Sequence, residues 1–198
     1  MTTKELIFHE ALLLIARKGY EATSIRDICK MVGIRESSFY NHFFNKQALL
    51  DEIFNVAEHI ITEPGSLQKT TYLLIEDASL REFFHFRIDR YIQYWEEPRN
   101  NLIRLIVVQE QTKIKRAAEI LLTEITQRTK SLEKYLDILS RKGKIRPGPL
   151  RPVAMVFIHT IHSLHQNYYV SKLFDHDSGL FLKEMHDAAD HLAGIYEL

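Results

Sequence analysis

Between residues 35 and 46 the sequence concentrates hydroxyl, amide, imidazole and cationic side chains. Arginine and asparagine side chains hydrogen-bond the edges of purines, whereas serine, tyrosine and lysine side chains bind phosphate oxygens. Lys46 follows this cluster at the start of a helix, where free backbone N–H groups also attract a phosphate. These residue types predict contacts to double-stranded DNA. The predicted DNA-binding residues are Thr23, Ser24, Arg26, Arg35, Ser37, Ser38, Tyr40, Asn41, His42 and Lys46.

Three histidines recur at intervals of three residues later in the chain, at His159, His162 and His165. Two imidazoles at positions i and i+3 of a helix can share a zinc, copper or nickel ion. The third ring, however, lies about 120° around the helix from the first. No cluster of carboxylates or cysteines stands nearby to complete a coordination sphere. The sequence therefore predicts no metal site and no cofactor.

The same segment also carries a polar and aromatic stripe formed by His159, His162, Gln166 and Tyr169. On a buried helix such a stripe either lines a cavity or lies at a subunit interface, and the sequence leaves both interpretations open. Aromatic residues concentrated between positions 83 and 95 form either core or the facing wall of a ligand pocket. The predicted ligand-binding residues are Phe84, Tyr91, Trp95, Gln109, His159, His162 and Gln166.

The charged residues near this predicted pocket constrain the ligand. Arg87 and Arg104 are possible ligand contacts, but no buried lysine or arginine in its segments is obviously reserved for a ligand. The sequence therefore predicts a small neutral or weakly polar effector, aromatic or amphipathic in character.

The composition argues against several classes of protein. The formal net charge is zero, so no large basic surface supports the DNA prediction. The single cysteine, Cys29, excludes an internal disulfide and a cysteine-rich zinc site, and favours a reducing cytoplasm. No apolar run approaches the roughly 20 residues that a membrane span needs. We find no phosphate-binding glycine loop, nucleophile elbow or pair of carboxylates, and predict that the chain is not an enzyme.

Short helices must position the DNA-binding side chains. A first helix over residues 4–18 has an apolar stripe and ends before Gly19. Ser24 and Asp27 form a capping box for a second helix over 24–31. Gly33 supplies the turn into a third helix over 35–41, and Asn45 caps a fourth. A helix, a glycine-bearing turn and a second short helix predict a helix-turn-helix, whose second helix enters the major groove.

Residues 7–50 resemble the tetracycline-repressor (TetR-type) family. The resemblance is carried by Gly19-Tyr20, by 23–28 (TSIRDI), by 32–34 (VGI) and, most specifically, by 38–43 (SFYNHF) with Lys46. It implies phosphate contacts by Tyr40, His42 and Lys46. It also implies that Thr23, Arg26, Ser37, Ser38 and Asn41 lie at or near the groove. Phe44 departs from the family, which commonly has proline, glycine or lysine there, and we expect it to pack on the second domain.

The rest of the chain is helical in pattern, which predicts an all-α fold. Helices are predicted over 79–97, from Pro98 onward, and over 112–142, 152–172 and 178–196, while 67–78 is ambiguous. The pattern breaks at 63–66 (EPGS). This break predicts a three-helix DNA-binding domain over 1–62 and a helical bundle over 66–198 for ligand sensing and dimerisation.

Together these features predict a homodimeric DNA-binding transcriptional regulator, a repressor that leaves a palindromic operator when its effector binds. The last two helices are expected to form the dimer interface. The predicted interface residues are Val153, Phe157, Thr160, Ile161, Leu164 and Tyr168 on one helix and Leu182, Met185, Ala189, Leu192 and Tyr196 on the other. The alternative is a helical DNA-binding protein without a small-molecule ligand, controlled by a protein partner or by a metal.

Overall fold

The computed structural model of the chain describes residues 1–62 and 78–198, and all regular structure in these ranges is helical. The helices are α1 Thr3–Lys18, α2 Ile25–Val32, α3 Glu36–Tyr40, α4 Lys46–Thr62, α5 Leu80–Glu96, α6 Pro98–Glu110, α7 Lys115–Arg141, α8 Leu150–Leu173 and α9 Gly179–Tyr196. Within the described ranges there is no strand, only an isolated bridge between Ile145 and Glu197. The predicted all-α fold is confirmed. The predicted break at 63–66 and residues 67–77 of the ambiguous segment lie outside the described residues.

Local capping residues set the ends of the first helices. The Thr2 side chain accepts a hydrogen bond from the backbone N–H of Glu5, whose carboxylate accepts in turn from the Thr2 backbone. Ser24 and Asp27 form the same reciprocal pair at the start of α2, with both bonds at 3.1 Å. Gly33 ends α2 in the left-handed conformation (φ 77°), which a residue with a side chain rarely adopts. The predicted capping box and turn are therefore confirmed.

One compact unit consists of the described residues 1–62 and 95–124. In this unit α1 packs against α2, α4 and α6, and α4 also packs against α6. Its core residues include Ile7, Ala11, Leu12, Ile15, Ile28, Phe39, Leu49, Ile53, Ile103, Ile106 and Val107, all at most 1% exposed. Full burial of one such large apolar side chain contributes about 1.5–3 kcal/mol. Residues 95–124 thus cluster with the first four helices by contact, whereas the functional division into 1–62 and 66–198 stays a prediction.

The other compact unit consists of the described residues 78–94 and 125–198. Its helices α8 and α9 pack against each other. The Phe84 and Phe157 rings stack at 4.2 Å, and the Phe83 and Tyr135 rings lie 5.8 Å apart. Aromatic side chains therefore form much of this core. None of the helices in the described ranges is long and apolar enough to span a membrane.

The predicted interface residues of α8 and α9 lie largely inside the chain itself. Val153, Phe157, Ile161, Tyr168, Met185 and Ala189 are all buried. These six side chains cannot also form a surface for a second subunit, so they were predicted wrongly. The other predicted interface residues are half-buried, and their role stays a prediction: Thr160, Leu164, Leu182, Leu192 and Tyr196. The exposed apolar residues of α8 instead lie on its other side. These exposed residues of α8 are Met155, Val156, Val170 and Leu173. The exposed apolar residues of α9 are Leu180 and Ile195.

Candidate nucleic-acid interface and effector cavity

One buried ring anchors helix α3. Phe39 is fully buried, and its ring centroid lies 5.6 Å from that of Phe43, which is also buried. The preceding turn is closed by Gly33 and Ile34, whose N–H groups both donate to the carbonyl of Cys29 at 2.9 and 3.0 Å. A helix of five residues has little stability of its own, so these contacts fix its orientation.

The side of α3 opposite Phe39 carries polar side chains that are open to solvent. Glu36 is also exposed on this helix, and its carboxylate would repel phosphates. Ser38 is half-buried. The other predicted DNA-binding residues that the structure exposes are Ser24, Arg26, Arg35, Ser37, Tyr40, Asn41 and His42. Their contact with DNA stays a prediction, and their exposure makes it physically available.

Thr23 lies in the interior. It is fully buried, and its hydroxyl donates a hydrogen bond to the Gly19 carbonyl at 2.8 Å. Its side chain therefore stabilises the connection between α1 and α2, a role that the sequence analysis did not assign to it.

Lys46 is held by the same connection. Its ammonium group donates to the carbonyls of Tyr20 and Thr23, both at 3.0 Å, and lies 4.2 Å from the centroid of the Tyr20 ring. An ammonium group has three donors, so two hydrogen bonds leave one for a phosphate. Lys46 thus positions the loop before α2 whether or not it also contacts DNA.

Charges near α2 are arranged in favour of an anionic partner. Lys18 donates to the Asp27 carboxylate at 2.7 Å, and this bond, with those from Ser24, keeps the pKa of Asp27 well below its ordinary value. Asp27 is therefore ionised and compensated at neutral pH. Within the described parts of the chain, neither Arg26 nor Arg35 has an ion-pair partner. Both guanidinium groups are thus available to a phosphate or a base edge.

Two polar side chains at the end of helix α6 contact α1 and the connection between α1 and α2. The Gln109 amide donates to the Ala16 carbonyl at 2.9 Å. The carboxylate of Glu110, which is 1% exposed, accepts from the backbone N–H of Tyr20 at 3.0 Å. Gln109 was predicted to bind the effector, but its amide is bonded to α1. Glu110 was missed, although a carboxylate ending an apolar helix is a detectable signal of a buried partner.

Trp95, also predicted to bind the effector, lies in the first unit. Its ring lies 4.8 Å from the guanidinium carbon of Arg104, which forms a buried ion pair with Glu124 at 2.9 Å. Arg104 therefore has a partner within the chain. Neither side chain lines the cavity described next.

The second unit contains a cavity of about 30 Å³. Its lining residues are Arg87, Tyr91, Arg128, Phe157, Ile158, Ile161 and His162. This space holds roughly one or two water molecules. Tyr91 and His162 line it as expected, whereas Phe84 does not line it and stacks its ring on that of Phe157. The cavity is much smaller than the predicted pocket.

The inward face of α8 differs from the predicted stripe. His159 is exposed, and neither His159 nor Gln166 lines the cavity. His165 is instead buried, with its ring 4.7 Å from that of Tyr91. The apolar residues Phe157, Ile158 and Ile161 form the inward face of α8. His165 lies on this face of the helix, and His159 does not. No group of three or more potential metal ligands occurs among the residues that the structure describes.

The comparisons with known proteins agree with this geometry. Residues 7–53 match the family described as bacterial regulatory proteins, tetR family. The chain is 27% identical to the uncharacterised HTH-type transcriptional regulator YvkB of Bacillus subtilis, over 91% of this chain and 96% of that protein. It is 31% identical to IcaR of Staphylococcus aureus, the HTH-type negative transcriptional regulator of the biofilm operon icaADBC, over 49% of this chain and 54% of that protein. The structure of a SmeT–triclosan complex superposes with a TM-score of 0.68 and 18% identity, covering 100% of this chain and 93% of that chain.

Proposed function

Because this chain belongs to the tetR family of bacterial regulatory proteins, we propose that it is a cytoplasmic repressor that binds a palindromic operator and releases it when an effector binds. Residues 1–62 would bind the DNA, and residues 66–198 would sense the effector and dimerise. Repression is supported by the similarity to IcaR, a negative regulator.

The observation that carries this proposal is the exposed polar face of α3 on a rigid apolar support. Tyr40, Asn41 and His42 are exposed, while the adjacent Phe39 is fully buried and fixes the helix. Arg26 and Arg35 add cations that have no ion-pair partner in the described ranges. Such a face can enter a major groove, with amide and guanidinium groups at the bases and hydroxyl groups at the phosphates.

The size of α3 supports homodimer formation. One helix of five residues reads too few base pairs for useful specificity, and a two-fold pair doubles the number. The exposed apolar residues on α8 and α9 support an interface formed by these helices. Val156 and Val170 are each about half exposed, which is unfavourable for a free surface and favourable for a subunit contact.

Operator binding by the purified full-length chain tests the proposal. Rounds of selection from random duplex DNA should enrich a palindrome with half-sites one helical turn apart, or a multiple of it. The triple variant Arg35→Ala, Tyr40→Ala, Asn41→Ala should lose this preference, whereas Lys130→Ala, on exposed α7 surface, should retain it. Enrichment of no palindrome by the folded protein would refute the regulator.

A second candidate function is favoured by the size of the cavity. At about 30 Å³ it admits no drug-sized molecule as it stands, which fits a DNA-binding protein controlled by a protein partner or by a metal, without an organic ligand. By comparison, the solved SmeT complex contains triclosan. Operator binding that no small molecule changes, while a bound protein or metal does, would favour this second candidate.

A further inference from the structure

Arg116 joins the start of helix α7 to one face of helix α4, within the first unit. Its Nε donates to the Glu58 carboxylate at 2.8 Å, and its Nη2 donates to the side-chain oxygen of Asn55 at 2.6 Å. Its Nη1 donates to the backbone carbonyl of Asp51 at 3.4 Å and lies 4.0 Å from the Asp51 carboxylate. Because positions i, i+4 and i+7 of a helix share one face, a single guanidinium group reaches all three residues. We name this arrangement the Arg116 clamp.

The clamp differs from an isolated ion pair at the surface. The guanidinium carbon lies 5.8 Å from the centroid of the Phe54 ring, which is 1% exposed, so the group is placed against a core residue. The hydrogen bond from Arg116 lowers the pKa of the Glu58 carboxyl, and both groups are therefore charged at neutral pH. One half-buried pair would contribute little by itself, because water screens it. A planar group that donates to three residues of one helix instead restricts both the distance and the rotation of α4 relative to α7.

The position of Arg116 within α7 is unfavourable for a cation. It is the second residue of the helix, and the first turn of a helix carries a partial positive charge. The adjacent Lys115 has the same charge, but its side chain is 89% exposed and pairs with Glu119 on α7 itself, at 3.3 Å. Contacts with α4 offset the unfavourable position of Arg116 and distinguish it from its neighbour.

The clamped face of α4 is connected to the loop before α2. The Gln47 side-chain nitrogen donates to the Asp51 carboxylate at 3.0 Å, and the Gln47 side-chain oxygen accepts from the Tyr20 hydroxyl at 3.2 Å. One residue earlier, Lys46 donates to the carbonyls of Tyr20 and Thr23. A displacement of α4 would therefore stretch or break the hydrogen bonds that hold this loop, and the loop leads directly into α2 and α3.

We infer that Arg116 is a positioning residue for operator recognition. Its donors bind α4, so it acts by holding α4, and through the loop α2 and α3, in the orientation that fits the operator. This inference rests on the proposed function, and it adds a residue that is far along the chain from the predicted DNA-binding face.

Operator affinity of the full-length protein tests the inference, with the duplex enriched by selection as the probe. Arg116→Gln should weaken operator binding about fivefold or more, the usual size of a coupling between separate parts of a protein. The affinity for random duplex DNA and the slope of log K against log salt should stay unchanged, because no phosphate contact is lost. Lys115→Gln removes the same charge one residue away and should bind like the original protein. Arg116→Lys should recover part of the affinity, since it keeps the charge but not the planar fork of donors.

Three results for the folded Arg116→Gln protein would overturn the inference. Unchanged operator affinity would show that the clamp does not position the DNA-binding helices. A lower salt slope would indicate a direct phosphate contact, and equal losses for operator and random DNA would indicate a general defect. If Arg116→Gln does not fold, Asn55→Ala decides, because it removes one acceptor at an exposed position and keeps the guanidinium group. It should weaken operator binding by a smaller factor, and no change in its affinity would overturn the inference.

Amide hydrogen exchange, followed residue by residue, tests the clamp without DNA. The backbone N–H of Thr23 donates to the Tyr20 carbonyl at 3.1 Å, so its exchange rate reports on the loop. This exchange should be faster in Arg116→Gln than in Lys115→Gln, because the loop loses support from α4. Unchanged exchange in Arg116→Gln would refute the clamp.

The inference and the proposed function can therefore fail independently. Faster exchange in Arg116→Gln, in a protein that enriches no operator, would retain the clamp and refute the regulator. Operator selection by the original protein, with neither affinity nor exchange changed in Arg116→Gln, would retain the regulator and refute the clamp.

Discussion

The backbone N–H of Tyr20 donates a hydrogen bond of 3.0 Å to the buried carboxylate of Glu110, ninety residues away along the chain. The carbonyl of Tyr20 accepts a hydrogen bond from the Lys46 ammonium group at 3.0 Å. The Tyr20 hydroxyl donates to the side-chain oxygen of Gln47 at 3.2 Å. Side chains from α4 and α6 therefore hold both backbone groups of the residue that precedes the helix-turn-helix. The position of α2 and α3 depends on the end of α6 through this residue.

Glu110→Ala should destabilise the fold by about 1–3 kcal/mol, because it leaves the Tyr20 N–H buried without its acceptor. Glu110→Gln retains an oxygen acceptor and should lose less. Chemical denaturation gives the free energy of unfolding, and titration with operator DNA should show weaker binding by the alanine variant. Glu119→Ala, an exposed position on α7, is the control. Equal stability of all four proteins would show that the bond does not support the fold.

Arg26→Ala and Lys46→Ala should have different effects on DNA binding and stability. The Arg26 side chain is exposed, so its loss should leave the free energy of unfolding unchanged. If Arg26 contacts a phosphate, the slope of log K against log salt should fall by about one for each lost contact. Lys46→Ala should also destabilise the fold, because it removes two hydrogen bonds to backbone carbonyls. A slope unchanged by Arg26→Ala would exclude its phosphate contact.

Asn41→Ala should relax the base preference at one operator position by about 1–3 kcal/mol without changing preferences elsewhere. The amide of Asn41 is exposed next to the buried Phe39, where it can reach a base edge. Competition between operators mutated one base pair at a time measures this effect. Ser37→Ala is the comparison, because a serine gives weaker base discrimination than an amide. A uniform loss across all operators would instead indicate a backbone contact.

Phe44→Ala should weaken operator binding while leaving the free energy of unfolding within about 0.5 kcal/mol of that of the original protein. Phe44 is 86% exposed between α3 and α4, so the expectation that it packs on a second domain was wrong. An exposed aromatic ring beside α3 is suited to contact a thymine methyl group or a sugar, if α3 enters the major groove as proposed. Met31→Ala removes a comparably exposed apolar side chain at the end of α2 as the control. Unchanged operator affinity would leave Phe44 without a role in DNA binding.

Asp190→Asn should make stability less dependent on pH in the acid range. Burial opposes ionisation of Asp190, but the hydrogen bond from His85 and the charges of His85 and Arg81 outweigh it and lower the pKa of Asp190. The His85 and Asp190 side chains are 2.6 Å apart. A carboxyl group with a lowered pKa stabilises the fold above its unfolded pKa of about 3.9, and this contribution is lost as the pH falls through the folded value. Urea midpoints at pH 6 and pH 3 should differ less in the variant.

Asp175→Asn is the control for this pH series, because Asp175 is exposed and its positive φ (55°) is tolerated by asparagine. The control should retain the pH dependence of the original protein. Identical pH dependence in the Asp190 variant would show that its ion pairs do not stabilise the fold.

Local sequence signals predicted the helix-turn-helix well, because the residues that form it are neighbours in the chain. Ser24 and Asp27 are three residues apart, and their reciprocal capping bonds need no distant partner. Gly33 likewise sets its own turn through its backbone conformation. Phe39 is buried in the core, and because it sets the inward face of α3, Tyr40 and Asn41 are left exposed to solvent.

The cavity could not be predicted in the same way, because its lining depends on which face of each helix meets another helix. Phe157 and Ile161 were predicted to form an interface and lie in the core, whereas His159 was predicted to bind the effector and is exposed. A rotation of α8 by one residue, about 100°, separates the two interpretations. Arg128 lies on a long amphipathic helix, where an isolated sequence gives no sign that a cation faces an aromatic ring.

The position of Trp95 has a practical consequence for spectroscopy. It is the chain's only tryptophan, and its indole lies beneath the Arg104 guanidinium, next to the buried Arg104–Glu124 ion pair. Selective excitation of tryptophan therefore yields fluorescence from a single, protein-shielded fluorophore whose emission is sensitive to that pair. This residue belongs to the unit that carries the helix-turn-helix, not to the unit that contains the cavity. An intensity or wavelength change on adding a candidate effector would thus be a label-free optical report of a response in the unit that carries the helix-turn-helix.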